Sequence, residues 1–338
     1  TETFHHVNVG ASLANIAFIL PSFKQDEKNT LTIGNGVGIE ARKDVSIGTR
    51  SWSNLNATTY DITLAAVQFV LNSNEMSLST TPKLTIGDNA SITGGSVDII
   101  QNINRKIGIV EDHIAATGLS LSFPFLTITD TVNATLSVGD GSAITATTGD
   151  LTIASNVDTK AQLAFLGVNA LGISASGAKN DFSEKVDNKT KLGKDVKLRA
   201  QNGTMTVRAD NKHKGDMSGY NITANALNLT DELTSTNNGK FTADVTIGTG
   251  FDAAGRVLTL EAINAEEYLC HGKKVTVSLA VNPYSKNGID VKDTSTATIT
   301  LAGGMIDVAK FNAKALTDVA VKVSQLIGGG SLTVDVNI

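Results

Sequence analysis

One short motif, an aliphatic residue followed by glycine, recurs along the chain at nearly constant spacing. Successive aliphatic anchors are separated by 53, 52, 54 and 55 residues. The anchors are Ile33, Ile86, Val138, Leu192 and Ile247, and a sixth, degraded copy is expected at Ile299. Such a period indicates stacked repeats, because a unit with strands this short cannot bury its apolar face alone.

Each copy also has a regular internal pattern. An apolar residue lies six positions after the anchor, and an apolar pair two positions apart follows, as in Ile92 and then Val97 and Ile99. Side chains two positions apart lie on one face of a strand, whereas a helix requires a spacing of three or four. The glycine after each anchor suits a turn that needs positive φ. The sequence of each copy therefore predicts, in chain order, a strand, a turn, a short strand, a second turn and a third strand.

A longer, variable half separates these compact segments. It contains an alternating apolar stretch, such as Tyr60, Ile62 and Leu64, and polar stretches that we expect to be loops, such as 176–191. Small and β-branched residues are expected to face a narrow core, and Thr, Ser and Asn to face outward. The C-terminal stretch 306–327 alternates as a strand would, so we predict a strand there.

These patterns predict an all-β chain folded as a parallel β-helix, or β-solenoid, with loop insertions. Two or three coils per period would give on the order of 13 to 19 coils and a rod roughly 60 to 90 Å long. The predicted organisation is a partial repeat over 1–30, a repeated solenoid over 31–309 and a terminal coil or cap over 310–338. Copies are expected to start near 31, 84, 136, 191, 245 and 297. The alternative is a string of small β-sandwich modules.

Composition narrows the classes of function. The net charge of -5 provides no general attraction to nucleic acid. No run approaches the roughly 20 apolar residues that span a bilayer, so we expect no membrane insertion by this segment. A single cysteine, Cys270, excludes an intramolecular disulfide framework. Because the chain opens on Thr1 rather than methionine, we expect a piece of a longer protein.

Residues for catalysis or metal binding form no recognisable pattern, and we predict no catalytic residue, metal or cofactor. The five histidines show no metal-ligand spacing and are expected in surface loops. Cys270 precedes His271, but a nucleophile and its base usually meet through the fold rather than along the chain, so a bystander thiol is favoured. The acidic turn residues Asp88, Asp140 and Asp150 follow glycines, and GGSVD at 94–98 only faintly resembles a calcium-binding nonapeptide.

Seven Asn-x-Ser/Thr sequons are candidate glycosylation sites. Turn chemistry is the favoured interpretation, because asparagine tolerates the left-handed region and bonds its own backbone. The functional interpretation is glycosylation of an exported protein. The sequon asparagines are Asn56, Asn89, Asn133, Asn188, Asn202, Asn221 and Asn228.

The segments LTIGNGVGIEA, LTIGDNASITG, LSVGDGSAITA, LGKDVKLRA and VTIGTGFDAAG carry a family resemblance. Together they resemble the β-helical passenger repeats of very large secreted bacterial adhesins, namely filamentous haemagglutinin-like, two-partner-secreted and leukotoxin-type exoproteins. The resemblance covers about 30–309. It implies export, a right-handed β-helix, attachment at the cell surface and, in some members, glycosylation.

The sequence therefore predicts a non-enzymatic segment of a large extracellular adhesin or surface fibre. It would act as a rigid stalk that presents loops, such as 176–191 and 209–219, to glycans or cell-surface proteins. Two alternatives stay open. One is a structural protein that assembles end to end into a sheath or matrix fibre, since unpaired strand edges invite stacking. The other is a polysaccharide-degrading enzyme on the same scaffold.

Overall fold

The structure, a computed structural model, describes residues 2–170, 172–278 and 285–331. Every strand pairing within these ranges is parallel. The strands are β1 (Glu2–Ile19), β2 (Ser22–Glu27), β3 (Thr30–Ile33), β4 (Gly38–Glu40), β5 (Val45–Thr80), β6 (Lys83–Ile86), β7 (Ser91–Gly94), β8 (Val97–Val138), β9 (Ala143–Ala146), β10 (Leu151–Ala170), β11 (Ile173–Leu192), β12 (Lys197–Asn225), β13 (Leu227–Ile247), β14 (Phe251–Ser278), β15 (Ser285–Leu301) and β16 (Gly304–Ser331).

Each period of about 53 residues forms one layer of a β-solenoid. A column of paired residues shows this directly, because every member pairs with the equivalent residue of the next period. One such column consists of Glu2, Leu55, Ile107, Ala161, Gly215, Tyr268 and Val321. The predicted fold class is confirmed, and separate β-sandwich modules are excluded because strands pair between periods. The right-handed turn of the coil stays a prediction.

The predicted number of coils and length of the rod are wrong. One period makes one coil rather than two or three, so seven stacked layers with six steps of about 4.8 Å rise only about 29 Å. Each coil is correspondingly wide, since strands such as β8 run for 42 residues. The molecule is therefore a broad, short stack.

The compact half of each layer packs as predicted. The anchors Ile33, Ile86 and Val138 pair in register, and so do the residues six positions later, such as Ile92 and Ile144. Their side chains share one core with the apolar pairs that follow. The sixth anchor is Leu301, which pairs with Ile247, and not Ile299, which pairs with Val245.

The turn after each anchor differs from the expectation. Positive φ occurs three positions after the anchor, in Gly36, Asn89, Gly141, Asp195 and Gly250. The glycine directly after the anchor instead allows layers to approach closely. A Cβ atom on Gly139 would lie 2.4 Å from Oδ1 of Asp88, a separation too short for any side chain.

In each layer whose reversal the structure describes, the variable half is an arch made of two long strand arms. One arm runs outward from the compact half, reverses at a tip, and a second arm returns. In the third layer, the outgoing arm is 97–117 and the returning arm is 119–138. The stretches 176–191 and 209–219, expected to be loops, are strand residues of β11 and β12. The predicted strand at 306–327 is confirmed by β16.

The polarity of the inward-facing side chains inverts along the arch, although the same alternate positions of each arm face inward throughout. Near the compact half, Leu55, Ile107 and Leu126 face inward and form a second apolar core. Near the tip, Asp61 and Thr63 are buried instead, while their neighbours Ile62 and Leu64 are exposed. The expectation that apolar residues face inward throughout is therefore wrong at the tip. The alternation of Val275, Val277, Leu279 and Val281 also predicts a strand. Val275 and Val277 lie on β14, whereas Leu279 and Val281 fall outside the described residues.

Candidate functional site

A column of buried polar and charged side chains runs through the stack between the two arms of the arches. In the third layer, an Nη2 atom of Arg105 lies 3.0 Å from Oδ1 of Asp130. Arg105 also donates from Nη1 to Oγ1 of Thr80 in the layer below, at 2.5 Å. Both members of the ion pair are buried, so the guanidinium group offsets part of the cost of burying the carboxylate.

His213 occupies the same column two layers further along. Its Nδ1 atom lies 2.6 Å from Oε2 of Glu184 on the returning arm and 2.9 Å from Oγ1 of Thr159. Three aromatic rings surround the imidazole at centroid distances of 5.1 to 5.7 Å, namely those of Phe182, Phe241 and Tyr268. Packing on all sides holds the imidazole in one position.

Burial changes the ionisation of three carboxyl groups in the arches. Burial, with Asn74 opposing it, raises the pKa of Glu111 to about 8. Burial and the neighbouring Asp293 raise the pKa of Glu266 to about 7. Burial also raises the pKa of Asp130 to about 7, although Arg105 opposes the change. The arches therefore hold protonatable carboxyl groups near neutral pH.

The Asp61 carboxyl group shows the opposite shift. Burial alone would raise its pKa, but the hydrogen bond and charge of His113 and the hydrogen bond from Asn8 hold the pKa below its usual value. The distance between His113 Nδ1 and Asp61 Oδ2 is 2.9 Å. An ionised Asp61 is thus stabilised inside the tip of the arch.

The histidines do not all occupy surface loops as expected. His113 and His213 are buried in the arches, where the Nδ1 atom of each lies close to a carboxylate, of Asp61 and Glu184 respectively, while neither Nε2 atom has a hydrogen-bond partner among the described residues. His5 and His6 lie on β1, and His271 faces the outside of the arch, where its Nδ1 atom lies 2.7 Å from Oγ of Ser324. Within the described ranges, no group of three His, Cys, Asp or Glu residues could hold a metal ion.

Cys270 and His271 are adjacent in sequence but point to opposite faces of β14. Cys270 is buried in the arch, and burial together with Asp216 raises the pKa of its thiol to about 11. Because the reactive form of cysteine is the thiolate, this residue has the properties of an inert core thiol.

The acidic turn residues accept hydrogen bonds between layers. Asp88 accepts from the backbone N–H of Asp140 at 2.9 Å, and Asp140 accepts from the backbone N–H of Lys194 at 2.8 Å. Asp150 accepts from the backbone N–H of Thr204 at 2.7 Å. These carboxylates therefore tie one turn to the next.

The seven sequon asparagines occupy different environments. Asn89 and Asn202 are exposed, while Asn56 and Asn133 are half-buried. Asn89 has a φ of 53°, which confirms turn chemistry at that position. Asn228 lies on β13, and its side chain falls outside the described residues.

The remaining two sequon asparagines, Asn188 and Asn221, are buried. The Nδ2 atom of Asn188, which would carry a glycan, donates to Oδ1 of Asn211 at 2.9 Å. The folded chain leaves no space for a glycan on either side chain. Glycosylation stays a prediction at the other sequons.

A polar cleft lies on the outer face of the outgoing arms, close to the compact half. Its volume is about 560 Å³, and it extends across four layers. The polar side chains that line it are Arg50, Asn102, Asn104, Asn156, Asp158, Arg208, Asp210 and Lys212. Three side-chain atoms of these residues are buried and have no hydrogen-bond partner within the described part of the protein, namely Oδ1 of Asn156, Nε of Arg208 and Oδ1 of Asp210.

Trp52 adjoins this cleft. It pairs with Asn104 of the next layer, which lines the cleft, and 53% of its surface is exposed. An exposed aromatic ring beside amide and charged groups can cover the apolar face of a sugar while the polar groups bond its hydroxyls. The cleft and Trp52 together form the candidate ligand-binding surface.

Comparison with family models, curated proteins and solved structures found no match for this chain. In the part of the chain that the structure describes, there is no helix long and apolar enough to cross a membrane. The functional argument therefore depends on the geometry of the stack and its surfaces.

Proposed function

We propose that this chain is a non-enzymatic segment of a large extracellular bacterial adhesin or surface fibre, in which it acts as a rigid stalk. The observation that carries the proposal is the uninterrupted parallel pairing from β1 to β16, one layer per period. A backbone paired on both sides in every inner layer resists bending, and a solenoid presents extended surfaces for binding.

The contacts of this stalk differ from those expected from sequence. The stretches 176–191 and 209–219 are strands, so protruding loops are not available there. The polar cleft beside Trp52 supplies the contact surface instead. Its lining includes Arg50, Arg208 and Lys212, which favour glycans that carry acidic groups.

Trp52 is the only tryptophan in the chain, so its fluorescence reports directly on this surface. Titration with uronic-acid oligosaccharides should change the emission, and Arg208→Ala should weaken binding about tenfold by removing a charge-assisted hydrogen bond. Lys106→Ala, on the same face outside the cleft, serves as a matched control with unchanged affinity. Unchanged emission across a panel of acidic and neutral oligosaccharides would contradict the glycan assignment.

Self-assembly is a second candidate function, and the ends of the stack favour it. The first layer exposes the apolar side chains of Val9, Leu13 and Ile16, and the last exposes Phe311 and Val323. Strand edges that are unpaired within the chain can pair with another copy.

An apolar cavity of about 660 Å³ opens beside the first layer and is lined in part by Phe4, Phe18, Phe23 and Met76. The last layer of another copy would cover this cavity. Analytical ultracentrifugation over a range of protein concentrations separates the candidates. A species that grows with concentration supports a fibre, whereas a constant monomer supports a stalk segment.

A further inference from the structure

The outer face of the outgoing arms is apolar near the tip of the arch. One column on this face consists of valine and isoleucine in the first six layers, namely Val9, Ile62, Ile114, Val168, Ile222 and Val275, and of Gly328 in the seventh. Ile114 and Ile222 lie in inner layers, yet 39% and 38% of their surfaces are exposed. Their exposure therefore belongs to the face itself and not to an open end of the stack.

The two neighbouring columns extend this apolar surface. The column toward the tip contains Leu64, Ala116, Ala170 and Ala224, and the column toward the compact half contains Tyr60, Leu166 and Tyr220. Asp112 and Lys273 share the tyrosine column, so charged groups occur only at its boundary with the rest of the arm. We name these three columns, with the apolar returning arms opposite them, the apolar tip.

The returning arms are also apolar on their outer face in the first four layers. The apolar outward residues there are Ile16, Phe18, Val67, Phe69, Leu71, Leu119, Leu121, Phe123, Phe125 and Ile173, and the polar residues Ser73 and Lys179 share the column of Phe125, the farthest of these columns from the reversal. Small residues, Ala66 and Gly118, make the exposed reversal between the arms. Apolar surface thus covers both faces and the end of the arch.

The interior of the tip is polar. Asn8 donates to Asp61 at 2.8 Å, and Asn74 donates to Glu111 at 2.9 Å. These internal hydrogen bonds hold the polar side chains inside. If the inward and outward positions of these strands exchanged, the internal hydrogen bonds would break. The apolar side chains therefore stay on the outside, where an apolar surrounding is favourable for them.

We propose that the apolar tip inserts into one leaflet of a lipid bilayer. Three columns across six layers present roughly 500 Å² per face, so two copies joined through this face would bury about 1,000 Å², less than a standard stable interface. A flat protein partner also reaches only one of the two faces. Lipid chains surround both faces and the end of the arch together.

The dimensions of the apolar tip suit this insertion. The six residue-to-residue steps from Tyr60 to Ala66 extend about 20 Å, enough to cross the roughly 15 Å of hydrocarbon in one leaflet. Tyr60 and Tyr220 then lie at the boundary with the headgroups, where tyrosine is enriched. On either side of the reversal at Ala66 and Gly118, the strand backbones of the inner layers pair with adjacent layers, which limits the number of backbone groups that lipid would leave unsatisfied.

This inference departs from the expectation of no membrane insertion, which considered only apolar runs long enough for a spanning helix. Alternating residues on stacked strands form an apolar surface that such a run does not reveal. The inference does not depend on the proposed glycan contact, because the cleft beside Trp52 lies nearer the compact half than the apolar tip does.

Flotation of the full chain with phosphatidylcholine vesicles tests the proposal. The wild-type protein should float with the vesicles, and the triple variant Ile62→Thr, Ile114→Thr and Ile222→Thr should bind at least about tenfold more weakly, because three exposed aliphatic groups become polar. Threonine retains a high strand propensity, and circular dichroism verifies that the variant is folded.

A matched variant, Lys106→Thr, Lys160→Thr and Lys214→Thr, changes one outward column of the outgoing arms outside the tip and should float like the wild type. Wild-type protein that stays with the vesicle-free fraction, or an isoleucine variant that floats unchanged, would overturn the proposal. The proposal would also be overturned if the wild-type protein formed a dimer without lipid and the isoleucine variant did not. The apolar face would then be a protein interface.

Discussion

The Nδ1 atom of His113 lies 2.9 Å from Oδ2 of Asp61, although the two residues are 52 positions apart in the chain. Their separation is one period, so they occupy the same column in adjacent layers. Both side chains are buried. The pair therefore joins two layers from the inside of the arch, where water cannot replace either partner.

Replacing His113 with alanine should destabilise the stack. The substitution leaves the buried Asp61 carboxylate without its strongest partner, and breaking a buried pair in this way costs about 3 to 5 kcal/mol. Urea denaturation followed by circular dichroism measures the loss. His5→Ala, at an exposed position on β1, should change stability by less than about 0.5 kcal/mol. Equal effects of the two substitutions would contradict the internal role of His113.

Stability should increase as pH falls from about 8.5 to about 5. Glu111, Asp130 and Glu266 have folded-state pKa values raised to about 8, 7 and 7. The folded state therefore binds more protons than the unfolded state between these values and the usual carboxyl pKa, so protonation favours folding there. Asp61, whose pKa is lowered, loses its contribution only at lower pH.

Urea midpoints measured across this pH range test the expectation. Glu111→Gln should flatten the dependence, because the amide carries no charge at either end of the range. Asp26→Asn, at an exposed position on β2, provides the control and should leave the slope unchanged. A midpoint that rises with pH in the wild type would show that the buried carboxyl groups are not the dominant titrating groups.

The sequence predicts the compact half of each layer well. Positions such as Ile92 and Ile144 alternate with polar residues at short spacing, and a single small core collects them. The same alternation does not predict how many coils one period makes. The number of coils depends on whether a polar stretch such as 176–191 leaves the sheet as a loop. In this protein the stretch remains a strand, because its polar side chains find partners on other layers.

The polar interior of the arch was missed for a related physical reason. A buried polar residue is acceptable only when a partner is present, and the partners of Arg105 and His213 lie on returning arms, 25 and 29 positions away, at Asp130 and Glu184. One signal was available. Asp61 and His113 are one period apart in sequence, so aligning the copies places opposite charges in adjacent layers.

Cys270 should react with a thiol reagent only after the protein unfolds. Its thiol is buried, and its pKa of about 11 leaves little thiolate near pH 8. The double variant Cys270→Ala and His271→Cys moves the thiol to the outer face of β14 and should react rapidly in the folded state. Absorbance with a chromogenic disulfide reagent follows both rates. Rapid reaction of native Cys270 would contradict its inward orientation.

Gly139 should not tolerate a side chain, whereas Gly34 should. A Cβ atom on Gly139 would lie 2.4 Å from Oδ1 of Asp88 and 2.6 Å from its backbone nitrogen. Gly34 occupies the equivalent turn position in the first copy, and a Cβ atom there would meet only a methyl group of Val37 at 3.8 Å. Gly139→Ala is therefore expected to cost about 1 to 3 kcal/mol by forcing the layers apart, and Gly34→Ala to be close to neutral. Thermal unfolding of the two variants measures the loss of stability in each. Equal losses would mean that these glycines are needed for their backbone conformation rather than for the close approach of one layer to the next.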